Sequence, residues 1–330
     1  MQSKNAGSEN IARRALAEYG MAGHNFTFIR HSDSVTFEVE DTDSSPSLLR
    51  IHVPVSPTMG THGSDARMVK AELMWLEALN RDTDLVLQSP VRKSAGELVT
   101  TIPTEASASP VNSTLLRWVD GQPYHRDLES EQTAFQIGKI LATLHTHVSS
   151  WEIPEDFTRP KRDHAYFLSV VRAVQPAAED GCICASDFAE LERSIALLVR
   201  DSRVQARSRE TYGIIHADGH KGNMLLHDGT IRLIDFSFCA SGNFMFDLGV
   251  CFSDMKSHLH PACLEGYQNS RSLPDDYQWL IEGLFVATMV GTFSCRVENP
   301  RAQELLANKV PQIVRDYAAK FNRGESFWFS

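Results

Sequence analysis

The stretch YGIIHADGHKGNMLLHDGTIRLIDFS, residues 212–237, is the densest run of chemistry-bearing side chains in the chain, and its reading decides the fold. The apolar run YGII (212–215) leads into His216, Asp218, His220, Lys221 and Asn223, and a second apolar run begins at Met224. His227-Asp228-Gly229 has the composition of a hairpin turn, after which IRLI (231–234) delivers Asp235. Polar groups at the end of a buried strand are placed where a binding site can use them. The hairpin is therefore expected to bring Asp218, Asn223 and Asp235 toward one end of a small sheet. The Asp235 carboxylate and the Asn223 amide oxygen can chelate Mg²⁺ and leave positions for phosphate oxygens and water. Asp218 is then available to orient a hydroxyl nucleophile, and these are the parts that phosphoryl transfer requires. Read alone, H-x-D-x-H also suits a metal hydrolase. That reading needs further ligands, and His145, His147 and His164 show no recognisable partner spacing.

Toward the N-terminus the pattern is that of strands. FTFIR (26–30), VTFEVE (35–40), LLRIHV (48–53), LVTTI (98–102) and STLLRWV (113–119) are expected strands, with DTDSSPS (41–47) as a turn and 106–110 as an exposed loop. A short helix is expected over 9–20. A second is expected over 66–80, capped by Ser64-Asp65 and striped with Met68, Leu73, Leu76 and Leu79. After Asp120-Gly121 helical periodicity takes over. Ile137, Ile140, Leu141, Leu144 and Val148 mark a helix over 129–148, and further helices are expected near 164–175, 187–201, 275–294 and 300–321. The order predicts a bilobal α+β chain with a cleft between its lobes: a β-rich part over 1–118 and a mostly helical part over 119–330.

The pattern H-x-D-x-H-x-x-N, followed by an apolar strand and I-D-F, resembles the aminoglycoside phosphotransferase family, whose fold is protein-kinase-like and which includes choline and homoserine kinases. MFDLGV (245–250), QIGKILATLHTH (136–147) and LLRWVDGQPY (115–124) extend the resemblance over roughly 25–325. It implies an ATP- and Mg²⁺-dependent kinase in which Asp218 is the catalytic base or orienting residue and Asn223 and Asp235 hold the metal. His216 and Asp247 would support the loop, and His220 would touch the γ-phosphate or the acceptor. Arg50 would contact phosphates and pair with Glu72, while Trp118 and Val119 would line the adenine pocket. Two departures matter. LLRIHV offers Arg50 where protein kinases keep a lysine, and RHSDSVTF (30–37) has no glycine, so Ser32, Ser34 and backbone N–H groups would take over the nucleotide loop. Gly219 also stands where the family usually carries a bulkier residue, which would loosen the loop.

Composition narrows the rest. The 330 residues carry a net charge of -10, divided as -3 over 1–118 and -7 over 119–330. That balance opposes nucleic-acid binding and favours a cationic acceptor over an anionic one. No signal peptide or membrane span is expected, since LIEGLFVATMVGTF (280–293) is too short and reads as a buried helix. The six cysteines lack a disulfide framework and are expected to be reduced structural thiols of a cytoplasmic protein. The acceptor is expected to be a small hydroxyl compound bearing an amine, such as an aminoglycoside or amino-alcohol. A bacterial Ser/Thr protein kinase and a non-catalytic nucleotide-binding regulator stand as alternatives.

Overall fold

Chain alternation and β-branched residues build the first unit of the computed structural model, which describes residues 2–32, 34–41, 45–53, 65–104, 110–299 and 302–329. This unit comprises Met1–Gln122 together with Glu152–Arg159 and Arg232–Phe238. Its strands are β1 (Phe26–His31), β2 (Val35–Val39), β3 (Ser47–Ile51), β4 (Pro90–Val91), β5 (Thr100–Ile102) and β6 (Val111–Arg117). They form one antiparallel sheet in the order β1-β2-β3-β6-β4, with β5 also on β6. Helix α1 (Gln2–Glu18) starts well before the expected residue 9. Its Ala12, Ala15 and Leu16 share a core with Val35, Phe37, Val39, Leu49, Ile51 and Leu115.

Helix α2 (Ala66–Asp82) is capped by Asp65, whose carboxylate accepts the Arg67 N–H at 2.9 Å. Ser64, 42–44 and 106–109, which entered the expected cap, turn and loop, lie outside the described residues. The buried face of α2 runs through Val69, Leu73, Leu76 and Leu79, with Met68 half-buried beside it. One charged side chain, Glu72, sits on that face. Burying a lone carboxylate is prohibitive, so the sheet must supply a cation. Arg50 on β3, in register with Thr36 of β2 and Thr114 of β6, is that cation.

The second unit comprises Pro123–Trp151, Pro160–Ile231 and Cys239–Ser330. A capping box between Ser130 and Thr133 starts α3 (Glu131–Ser150), and the expected stripe from Ile137 to Val148 is buried. Helices α4 (His164–Glu179) and α5 (Ala185–Arg200) follow. Between β7 (Gln122–Pro123) and the later helices come β8 (Tyr212–Ile215), β9 (Met224–His227), β10 (Thr230–Leu233) and β11 (Ala240–Asn243). Asp228 and Gly229 both take positive φ, 48° and 75°, the signature of a two-residue hairpin turn. Two helices not expected from periodicity, α6 (Met245–Asp254) and α7 (His260–Gln268), precede α8 (Tyr277–Ser294) and α9 (Gln303–Ile313). The apolar 280–293 run lies in α8, largely buried, and no described helix is long and apolar enough to cross a membrane. The six cysteines are thiols; Cys239, Cys251 and Cys263 are buried, whereas Cys184 and Cys295 are exposed, so not all serve the core.

The seam between α3 and α7 depends on two glycines. A Cβ at Gly138 would stand 1.9 Å from the Cys263 carbonyl oxygen, and one at Gly266 would stand 2.0 Å from that of Phe135. Both clashes are with backbone, which cannot rotate away. Gly138→Ala and Gly266→Ala are each expected to destabilise the protein by about 2 kcal/mol or more, measured by urea unfolding.

Candidate active site

The polar loop after β8 is held from below by one buried carboxylate. Strand β8 pairs antiparallel with β11, from Ile215 opposite Ala240 to Tyr212 opposite Asn243, and this fixes the strand from which the loop departs. Asp247, in the first turn of α6, accepts the His216 N–H on Oδ2 at 2.9 Å and the Ala217 N–H on Oδ1 at 2.7 Å. Ala217 sits at φ 63°, a left-handed conformation costing a non-glycine residue roughly 1–2 kcal/mol. The two charge-assisted hydrogen bonds to Asp247 offset that strain. His216, fully buried, accepts the Asp218 N–H on Nδ1 at 3.3 Å. The strain thus turns the chain so that Asp218 emerges at the loop's head.

Asp247 is itself oriented by His145 of α3, whose Nε2 lies 3.0 Å from Oδ2, while His145 Nδ1 lies 3.0 Å from the Tyr267 hydroxyl. Burial would raise the Asp247 carboxyl, but the hydrogen bonds from His145 and from the Ala217 N–H outweigh it and hold it below the usual range. Burial lowers His145, against the pull of Asp247. The pair is therefore a carboxylate beside a neutral imidazole. A neutral imidazole donating from Nε2 must accept on Nδ1, so Tyr267, its own ionisation pushed up by burial, donates there. His145 was visible in LATLHTH but reads there as a packing histidine; only the fold shows what it faces.

Within the loop, the Asn223 amide nitrogen donates to the Asp218 carbonyl at 3.0 Å and to its Oδ2 at 2.8 Å. Both uses consume N–H, so Oδ1 is the Asn223 atom left for a cation. His220 accepts the Gly222 N–H on Nδ1 at 2.9 Å, capping the single turn Lys221–Asn223, and its Nε2 stands 3.6 Å from Asp218 Oδ1. Lys221 adds an anchor that the motif does not announce. Its Nζ pairs with buried Glu129 at 2.6 Å and donates to the Asp254 carbonyl, while its backbone N–H donates to Asp254 Oδ2 at 3.2 Å. At Gly219, where the sequence suggests a looser loop, the Cys251 thiol donates to the carbonyl at 2.9 Å.

Asp235 belongs to the first unit. It too has positive φ, 65°, and its N–H donates to the side-chain oxygen of buried Gln88 at 2.9 Å. The Ser237 hydroxyl donates to Asp235 Oδ1 at 2.7 Å. Arg50, 4% exposed, pairs with Glu72 at 2.7 Å and stands 3.8 Å from Asp235 Oδ1. Arg50 Nε also donates to the Thr114 hydroxyl at 3.4 Å, and His52 Nε2 contacts that hydroxyl at 3.2 Å. Arg159 ties α2 to this segment, donating to the Met68 carbonyl at 2.8 Å and the Ser237 carbonyl at 2.5 Å. Ser32 donates its N–H to the Ser34 carbonyl at 3.0 Å in the β1–β2 turn, and the Ser34 side chain is buried. The Trp118 N–H is taken by the Pro46 carbonyl at 3.0 Å, and Val119 is buried. Gln88, Arg159 and the anchoring role of Lys221 were hidden in the sequence because each acts through a long-range partner with no fixed spacing.

The Asp235 carboxylate in the first unit and the Asn223 amide oxygen in the second are each the kind of oxygen donor that Mg²⁺ takes, an ion commonly held by one or two protein oxygens plus substrate phosphates. Among the described residues no group of three or more His, Cys, Asp or Glu side chains gathers as a metal cluster, so the hydrolase reading of H-x-D-x-H finds no ligand set.

A polar loop held by a buried aspartate–histidine pair in the second unit and an ion-paired strand arginine in the first accord with a kinase-like phosphotransferase fold, which the similar solved structures share. The chain belongs to the phosphotransferase enzyme family, whose profile matches residues 26–282. Among curated proteins it is 26% identical over 157 residues to a homoserine kinase of Neisseria meningitidis serogroup B, covering 44% of this chain and 47% of that one. It is 23% identical over 246 residues to an amicoumacin kinase of Bacillus subtilis, covering 73% and 66%. The matched segments thus span about half and about two thirds of those relatives. Among solved structures, a microcompartment-associated aminopropanol kinase superposes with a TM-score of 0.78 at 22% identity, covering 96% of this chain and 98% of the other. An amicoumacin kinase solved with AMP-PNP and Ca²⁺ gives 0.74 at 16% identity, covering 97% and 94%.

Asp247→Asn replaces an acceptor for two backbone N–H groups with an amide that also carries donors. It is expected to lower stability by about 3 kcal/mol or more in denaturant titration, because it leaves a buried network unpaired. Acid should destabilise the protein as well. Burial and neighbouring Arg50 push His52 down to about 3, and burial pushes His260 down to about 4. Both stay neutral in the fold while the unfolded chain takes up protons below its ordinary histidine value. Stability is therefore lost as pH falls from about 6.5 toward 4, by about 1.4 kcal/mol per pH unit per histidine. His52→Asn should flatten that slope in pH-dependent thermal melts.

Proposed function

We propose that the chain is an ATP- and Mg²⁺-dependent phosphotransferase that moves the γ-phosphate to a hydroxyl of a small, amine-bearing molecule. The observation that carries this reading is the Asp218–Asn223 pair, joined at 2.8 Å on a loop that Asp247 holds in strained conformation. Asp218 orients the acceptor hydroxyl and receives its proton at the carboxylate. Asn223 Oδ1 and the Asp235 carboxylate hold the metal, which when bound neutralises charge on the phosphate oxygens. Arg50, kept in place by Glu72, contacts the phosphates; Ser32, Ser34 and their backbone cover them, and Trp118 and Val119 line the adenine site. His220 Nε2, beside Asp218, faces the transferred group or the acceptor. Because phosphoryl transfer proceeds through a loose transition state, positioning and charge neutralisation supply most of the rate. We assign nucleotide binding chiefly to residues 1–118 with Asp235, acceptor binding to 119–330, and the enzyme to the cytoplasm.

The acceptor class rests on two supports. The 119–330 part carries a net charge of -7, which favours a cation. The similar proteins are named for homoserine, amicoumacin and aminopropanol, the last an amino-alcohol by its name. Nucleotide consumption measured across amino-alcohols, aminoglycosides and a protein substrate identifies the acceptor. Stimulation by a small amine supports the proposal, and stimulation by the protein alone overturns it. Asp218→Asn is expected to lower kcat by about 10³-fold while leaving nucleotide affinity intact. Asp235→Ala is expected to weaken Mg·ATP binding itself in calorimetry, and unchanged affinity would refute its metal role.

A further inference from the structure

Arg30 is a further cation that the motifs do not announce. It lies on β1, whose register against β2 slips between Phe28 and Arg30. A bulge of this kind re-aims the side chains beside it. The backbone there is tied down, since the Thr36 hydroxyl donates to the Arg30 carbonyl at 3.3 Å and His31 Nε2 contacts the Val53 carbonyl at 2.9 Å. The Arg30 guanidinium, 54% exposed, reaches Asp235 with Nη2 3.4 Å from Oδ2. Arg50 approaches the other oxygen, Oδ1, at 3.8 Å. The carboxylate is thus flanked by two guanidinium groups, one buried and fixed by Glu72, the other exposed and able to move.

Carboxylate and phosphate oxygens make the same demand on a guanidinium, a planar fork of N–H donors. We infer that Arg30 and Arg50 form a two-arginine phosphate clamp that also pairs with Asp235, so that metal enters with the nucleotide and not ahead of it. This rests on the phosphotransferase reading and deepens it. A divalent cation arriving alone must displace two cations from its ligand and then sit beside them. A cation arriving on a phosphate chain brings the anionic oxygens that satisfy both arginines. The exposed pair is weak and exchanges readily, whereas the buried Arg50–Glu72 pair does not. The clamp also gives the glycine-free β1–β2 turn a replacement for the backbone contacts that glycine would permit.

The test is a pair of titrations on wild type, Arg30→Ala and Arg30→Lys: Mn²⁺ alone, read from the free-ion electron paramagnetic resonance signal, and Mg·ADP by calorimetry. Arg30→Ala is expected to bind Mn²⁺ about threefold more tightly and Mg·ADP about tenfold more weakly, with Arg30→Lys between it and wild type. Exposure of the side chain makes misfolding of either variant a minor concern, checked by matching thermal melts. Opposite signs establish the clamp. If both affinities weaken together, Arg30 merely positions Asp235, and if neither changes it has no part in the site; either result overturns the inference. A wild type that binds neither Mg·ADP nor Mg·GDP would instead overturn the phosphotransferase reading on which the clamp rests.

Discussion

One buried carboxylate sets the geometry on which the polar loop after β8 depends. Asp247 is fully buried, and its two oxygens take the N–H groups of His216 and Ala217. Without it, the left-handed turn at Ala217 would relax and Asp218 would lose its direction. The requirement spreads outward: a buried carboxylate needs a partner, the partner is His145, and His145 needs its second nitrogen satisfied, which brings in Tyr267 from α7. The two glycines in the α3–α7 seam then let the helix carrying His145 and the helix carrying Tyr267 approach closely. Packing, strain and site chemistry are here one constraint seen at successive distances.

The first unit repeats the logic with opposite roles. Glu72 occupies an apolar helix face and is tolerated there because Arg50 crosses to it at 2.7 Å. Removing either partner leaves an uncompensated buried charge, a loss of about 3–5 kcal/mol in comparable cases. A pair so costly to break is poorly suited to adjusting as phosphates come and go. It is well suited to holding one guanidinium at a fixed place beside Asp235.

The strands and most helices were legible because their patterns are local. VTFEVE alternates with period two, the α3 stripe has helical spacing, and Asp228-Gly229 announces its turn. Helices α6 and α7 were not, since MFDLGVCFSD is buried nearly all round and has no polar face for periodicity to register. In the site, Asp218, Asn223 and Asp235 stood out because they cluster after apolar runs. The supporting residues stayed hidden because their signal is pairwise and distant. Gln88 meets the backbone of Asp235 across 147 positions, and His145 meets Asp247 across 102. At Gly219 sequence registers a missing side chain but not the Cys251 thiol that donates to its carbonyl.

The first unit is discontinuous: to Met1–Gln122 it adds Glu152–Arg159 and Arg232–Phe238. As the chain leaves the ribosome, the sheet and α2 are complete long before these two returning segments exist. Until Arg159 emerges, the Met68 carbonyl waits for its guanidinium partner, and until Asp235 emerges, so does the buried side-chain oxygen of Gln88. Vectorial synthesis therefore yields first a nascent sheet with unfilled polar positions, then most of the second unit's early helices, and only afterwards the carboxylate that finishes the first unit. The last-made piece of that unit is the segment that carries Asp235, so a chain interrupted before Asp235 can fold much of its sheet but leaves the Gln88 side-chain oxygen without that partner.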